Sequence, residues 1–101
     1  MSARMAENIE QEARLIILRT LSEQVDFRLN SSLLRDDLAA RWAINRSREW
    51  VHVQLGALAE IGAVAIIDSG SVRIAEITKR GLQHINREIV LDGVKRPGPE
   101  G

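Results

Sequence analysis

Between positions 46 and 53 the chain reads Arg46, Ser47, Arg48, Glu49, Trp50, then His52 and Val53, with Arg73 further on. Paired guanidiniums suit phosphate oxygens or the edge of guanine, because their planar fork donates two parallel hydrogen bonds. Ser47 is a good helix N-cap, and free amides at a helix start attract anions. Trp50 and His52 would then touch a nucleic-acid backbone or a thymine methyl, and Arg73 a phosphate or a flanking minor groove. A plainer reading leaves Arg46, Arg48 and Arg73 as solvated surface charges. The same stretch also suits a protein partner. Trp50, Val53 and Gly56 form an apolar strip beside Arg48, and aromatic and arginine anchors dominate binding hot spots. Alternatively, Trp50 folds back over the core beside Trp42.

Other chemistry is poorly supplied. Asp36 and Asp37 are adjacent, so on a helix they point about 100° apart and do not form an acid–base pair. His84 and Glu88 lie four apart, which gives two metal ligands without a third; a surface pair is the expected reading. There is no cysteine, hence no disulfide, thiolate metal site or thiol nucleophile. Neither a phosphate-loop glycine pattern nor a glycine-flanked nucleophilic serine occurs. The sequence therefore predicts no enzyme activity and no cofactor. Formal net charge is zero, whereas dedicated DNA binders are often basic. The positive charge is nearly all arginine, with Lys79 and Lys95 the only lysines. The first twelve residues are polar and charged, which predicts no signal peptide. No apolar run approaches the roughly 18–20 residues of a membrane span, and a cytoplasmic protein is expected.

Apolar periodicity predicts the elements that hold these residues. Ile9, Ala13, Ile16, Ile17 and Leu21 place a first helix over 6–22. Leu15 and Leu18 add a second stripe, so this helix should be covered on two sides, by the core and by either the last helix or a second subunit. A homodimer is expected on that basis. The stretch 25–29 reads as a connector. Asn30, Ser31 and Ser32 are capping types ahead of a helix over 32–43, carried by Leu34, Leu38 and Trp42. Ser47 opens a third helix over 47–61, with Val51, Leu55 and Leu58 on its core side and Gly62 as its stop. Val64, Ala65, Ile66 and Ile67, the turn Asp68-Ser69-Gly70, and the run to Ile77 form a hairpin over 64–77. Thr78 caps a last helix over 79–89, in which Gly81 permits close packing. Residues 1–91 are thus one domain. Residues 92–101, with Gly93, Pro97 and Pro99 and no period, read as a flexible tail.

Helix, turn, helix and hairpin in this order make a mostly α winged helix-turn-helix. Residues 38–64 resemble the helix-turn-helix of winged-helix regulators at Leu38, Ser47, Val51, Leu55, Leu58, Gly62 and Val64. Ile77-Thr78-Lys79-Arg80-Gly81 resembles the junction that follows the wing. The whole chain is similar to small ArsR-like winged-helix proteins of Mu-like phages and prophages, through Leu29-Asn30-Ser31-Ser32-Leu33-Leu34-Arg35-Asp36, Ser47-Arg48-Glu49 and Gly93-Val94-Lys95-Arg96-Pro97. That resemblance implies a transcription regulator on double-stranded DNA. The alternative is an interaction module that binds a phage protein in assembly or packaging. The chain departs from the regulators in three ways: its inter-helix turn is about two residues longer than usual, it lacks the metal-sensing cysteines, and its third helix presents few base-reading side chains.

Overall fold

A computed structural model describes residues 3–98. Four helices and three strands alternate as α1 (Ala3–Ser22), β1 (Arg28–Asn30), α2 (Ser31–Trp42), α3 (Arg48–Glu60), β2 (Val64–Ser69), β3 (Val72–Ile77) and α4 (Lys79–Ile85). The helix starts follow their caps. Asn30 Oδ1 accepts from the Leu33 amide at 2.9 Å, Ser47 Oγ from Trp50 at 3.1 Å, and Thr78 Oγ1 from Gly81 at 3.2 Å. α3 stops as expected at Gly62, whose φ is +78°. There Ala63 N donates to Leu58 O at 2.8 Å and Gly62 N to Ala59 O at 3.0 Å, which is the Schellman closure. α2 ends without a glycine. Ala43 itself takes the left-handed conformation (φ +55°), and Ile44 N donates to Leu38 O.

The hairpin covers 64–77, with its turn one residue later than expected. Ser69 pairs with Val72, so Gly70 and Ser71 form a two-residue turn and Asp68 belongs to β2. β3 is the central strand of an antiparallel sheet ordered β1-β3-β2. β1 lies in the stretch expected to be a connector, and pairs Arg28 with Glu76, Leu29 with Ala75 and Asn30 with Ile74. An ion pair of 2.8 Å joins Arg28 to Glu76 across this edge.

α1 is the centre of the core and packs on α2, α3, α4 and β3. All four of Leu15, Ile16, Ile17 and Leu18 are buried, as are Leu34, Leu38, Val51, Leu55 and Leu58. Both stripes of α1 are therefore covered within one chain, and no second subunit is needed at these residues. At roughly 2 kcal/mol for each large aliphatic side chain buried, this cluster is the main favourable term in the fold.

The C-terminal region departs most from expectation. α4 ends at Ile85 rather than 89, and Arg87 adopts a φ of +63°. The chain then turns back and docks. Leu91 and Val94 are buried, Lys95 N donates to Gln11 O, and Arg14 Nη1 donates to Gly93 O at 3.0 Å. Arg14 also donates from Nε to Gln54 on α3, so one guanidinium joins α1, α3 and this segment. His84 is fully buried rather than a surface partner of Glu88. Its Nδ1 accepts from the Leu91 amide at 3.1 Å, which leaves Nε2 to carry the proton donated to Lys95 O at 2.9 Å. The expected flexible tail is thus packed through residue 95; its residues 99–101 lie outside the described residues.

Candidate nucleic-acid interface

α3 and the hairpin position the residues singled out in the sequence. Ser47 caps α3 and holds its first turn at the surface. Arg46 lies just outside the cap, and its guanidinium sits 5.5 Å from the Trp50 ring centroid. Such a stack holds a long side chain near the helix start without cancelling its charge. Arg48 is half-buried and Glu49 is exposed. Among the described residues, neither Arg46 nor Arg48 has a carboxylate within 4.0 Å. Arg46 is exposed beside the turn, and a second guanidinium follows two residues on.

Arg73 is differently placed. It lies on β3 opposite Asp68, and its Nε meets the Asp68 carboxylate at 3.3 Å. The hairpin's arginine therefore carries its own counter-charge, and any anion that approached it would compete with Asp68. Both partners are well exposed, so the pair contributes little to stability.

Three other positions differ from a simple outward row. Trp50 is half-buried against the core, closer to the folded-back reading than to a free aromatic, and its ring is shared with Arg46. Trp42 keeps more exposure and carries Arg41 at 5.8 Å. Val53 is the exposed apolar residue of α3, with 62% of its surface open. Gly56 has open space where a side chain would stand.

His52 does not point to solvent. It turns from α3 toward the start of α2, where its Nε2 lies 2.9 Å from Ser31 Oγ. Ser31 is fully buried, and its Oγ also accepts the Arg73 backbone N–H at 3.0 Å. Burial lowers the His52 pKa from its ordinary 6.5, assisted by the guanidiniums of Arg73 and Arg48 and opposed by Glu49 and Asp68. The sign of the linkage follows. Below pH 6.5 the unfolded chain takes up this proton before the folded one does, so stability is complete above that value and falls as pH drops toward the folded-state value. Denaturation midpoints at about pH 7.5 and 5.5 should therefore fall more for the wild type than for His52→Gln. Equal losses in the two proteins would remove His52 as the cause.

Ser31, missed as a site residue, was masked by its neighbours. In the sequence it is one of three capping types in a row, and Asn30 takes the capping role. That leaves the Ser31 hydroxyl free for β3 and α3.

No protein-family model and no curated protein sequence matches the chain. Solved structures do. F93 from STIV, described as a winged-helix DNA-binding protein, superposes with a TM-score of 0.60 at 19% identity, covering 73% of this chain and 79% of that one. The complex structures of hsRosR-S1 and hsRosR-S4 give TM-scores of 0.64 and 0.65, each at 14% identity and over 74% of this chain. The chain spans 65% and 64% of those two proteins, just under two thirds of their length. At these identities the likeness is one of fold, and the fold is a winged helix.

Proposed function

We propose that this protein binds double-stranded DNA through the start of α3, with the hairpin as a minor second contact. The observation that carries this is the capped, surface-placed first turn of α3 flanked by two guanidiniums, Arg46 and Arg48, that lack carboxylate partners among the described residues. Free amides and two cations at one helix start make an anion-binding corner, and in a helix-turn-helix the same end of the helix meets the major groove. The likeness to F93 from STIV supports the reading from outside the chain. The finer reading, a phage or prophage transcription regulator, rests on the resemblance of residues 29–36, 47–49 and 93–97 to the Mu-like phage group. Dimeric binding remains part of this proposal, although Leu15 to Leu18 no longer supply a reason for it.

Duplex affinity should drop steeply between about 50 and 200 mM salt, because released counterions drive phosphate binding. Fluorescence anisotropy of a mixed-sequence duplex reads this directly. Replacing Arg46 and Arg48 together by alanine should weaken binding by about tenfold or more and flatten the salt slope by about two. Arg73→Ala should have a smaller effect, since Asp68 already neutralises that side chain. Absence of binding at low salt would overturn the proposal.

A second reading has one observation behind it. Val53 is open on α3 next to the bare surface of Gly56, and these suit an apolar partner surface better than phosphate. If duplex DNA fails to bind, a protein partner docking on Val53 and Trp50 is the reading to pursue, with the phage-protein class suggested by the same resemblance.

A further inference from the structure

β1 pairs with β3 in a register that runs Arg28 with Glu76, Leu29 with Ala75 and Asn30 with Ile74. The next pair in that series is Ser31 with Arg73. At that point the chain has already turned into α2, and its backbone carbonyl is committed to the helix. The Ser31 side chain takes over: its Oγ accepts the Arg73 N–H at 3.0 Å. The hydroxyl has one proton of its own, and His52 Nε2 lies 2.9 Å away on α3. All three groups are satisfied when Arg73 N–H donates to Ser31 Oγ, Ser31 O–H donates to His52 Nε2, and the imidazole proton sits on Nδ1. Ser31 is completely buried, so its hydroxyl depends on these two protein partners.

Resting on the DNA reading above, we propose that His52 is a positioning residue rather than a DNA contact: through the Ser31 hydroxyl it fixes the wing backbone at Arg73 against the recognition helix. The relay joins the three elements that must keep one geometry for α3 and the hairpin to meet a duplex together. It acts near the tip of the wing, where Asp68 faces Arg73 one pair before the strands meet the Gly70-Ser71 turn. Arg48, Glu49, Arg73 and Asp68 are the charged groups around the imidazole. Arg48 belongs to the proposed main contact and Arg73 to the minor one, so the relay also sets the spacing between those two cations.

The test is a double-mutant cycle with two readouts on the full chain. Ser31→Ala, His52→Ala and the double variant are compared with wild type in duplex affinity by anisotropy. Amide hydrogen exchange at Arg73 is followed in the DNA-free proteins, with the buried amides of α1 as the control for global stability. Each single variant should lose about two- to threefold in affinity, and the double variant no more than either, because both remove the same relay. The Arg73 amide should exchange about tenfold faster in every variant while the α1 control is unchanged. Losses that add in the double variant would make His52 a direct contact and overturn the proposal, as would unchanged exchange at Arg73. If the wild type binds no duplex, the DNA reading fails on its own. The exchange result then decides the relay: faster exchange keeps wing positioning by Ser31 and His52, and unchanged exchange removes it.

Discussion

Gly81→Ala is expected to lower the unfolding free energy by about 3 kcal/mol, the upper end of what overpacking costs. Gly81 sits in the first turn of α4 with its Cα pressed against the strand-to-helix junction. An added Cβ would lie far inside contact distance of the Ala63 carbonyl oxygen and 2.7 Å from Ile77 Cγ1. Ala63 O is already fixed, because it accepts from the Thr78 amide at 3.0 Å. The clash is with backbone, so a rotamer change does not relieve it. Helix propensity argues the other way, since alanine is better than glycine in a helix by about 1 kcal/mol. The two effects differ enough to give a clear sign. Thermal melts should show a midpoint lowered by roughly 10–20 °C. An unchanged or raised midpoint would mean that the α4 junction is looser than described.

The second large effect is expected at His84. Alanine there removes the acceptor for Leu91 N–H and the donor for Lys95 C=O, and leaves a cavity in a fully buried place. Unpaired buried groups cost about 1–3 kcal/mol each. The chain has an escape, which is to undock residues 91–95 into water and give up the burial of Leu91 and Val94. The expected net loss is therefore about 3 kcal/mol, with the undocked segment as its visible sign. Trypsin should cleave His84→Ala after Lys95 much faster than wild type under native conditions. Cleavage at the wild-type rate, together with an unchanged denaturation midpoint, would show that His84 does not hold the segment.

Where the sequence was readable, a local signal coincided with the tertiary answer. Ser47, Thr78 and Gly62 end or begin helices because their side chains, or the lack of one, satisfy backbone groups within a few residues. The hairpin was legible for the same reason, although its turn sits one residue later than Asp68-Ser69-Gly70 suggested. β1 was not legible. Its three residues have little strand character, and their partner is β3, so only long-range pairing makes Arg28–Asn30 a strand. α4 was over-extended because Ile85 and Ile89 keep the helical period, yet Ile89 reaches the core after the chain has already turned at Arg87. At the candidate site, Arg46, Arg48 and Arg73 were readable as cations, but the Asp68 partner of Arg73 follows from hairpin register. His52 looked outward on a helical wheel. Its inward bend depends on Ser31, and no spacing rule connects those two residues.

The dock of the C-terminal segment has a consequence for sequence change. Gln11 O, Arg14 and His84 grip this segment only by its main chain: the Leu91 amide, the Gly93 and Lys95 carbonyls and the Lys95 amide. Within 91–95 the buried side chains are Leu91 and Val94, and Lys95 adds an exposed 4.0 Å ion pair to Glu12 that contributes little. Asp92, Lys95 and Arg96 can therefore drift widely while the segment stays in place. A stretch held by its peptide groups shows no hydrophobic period and tolerates breakers, and for that reason it resembles a loose tail to any reading that looks for patterns of side chains.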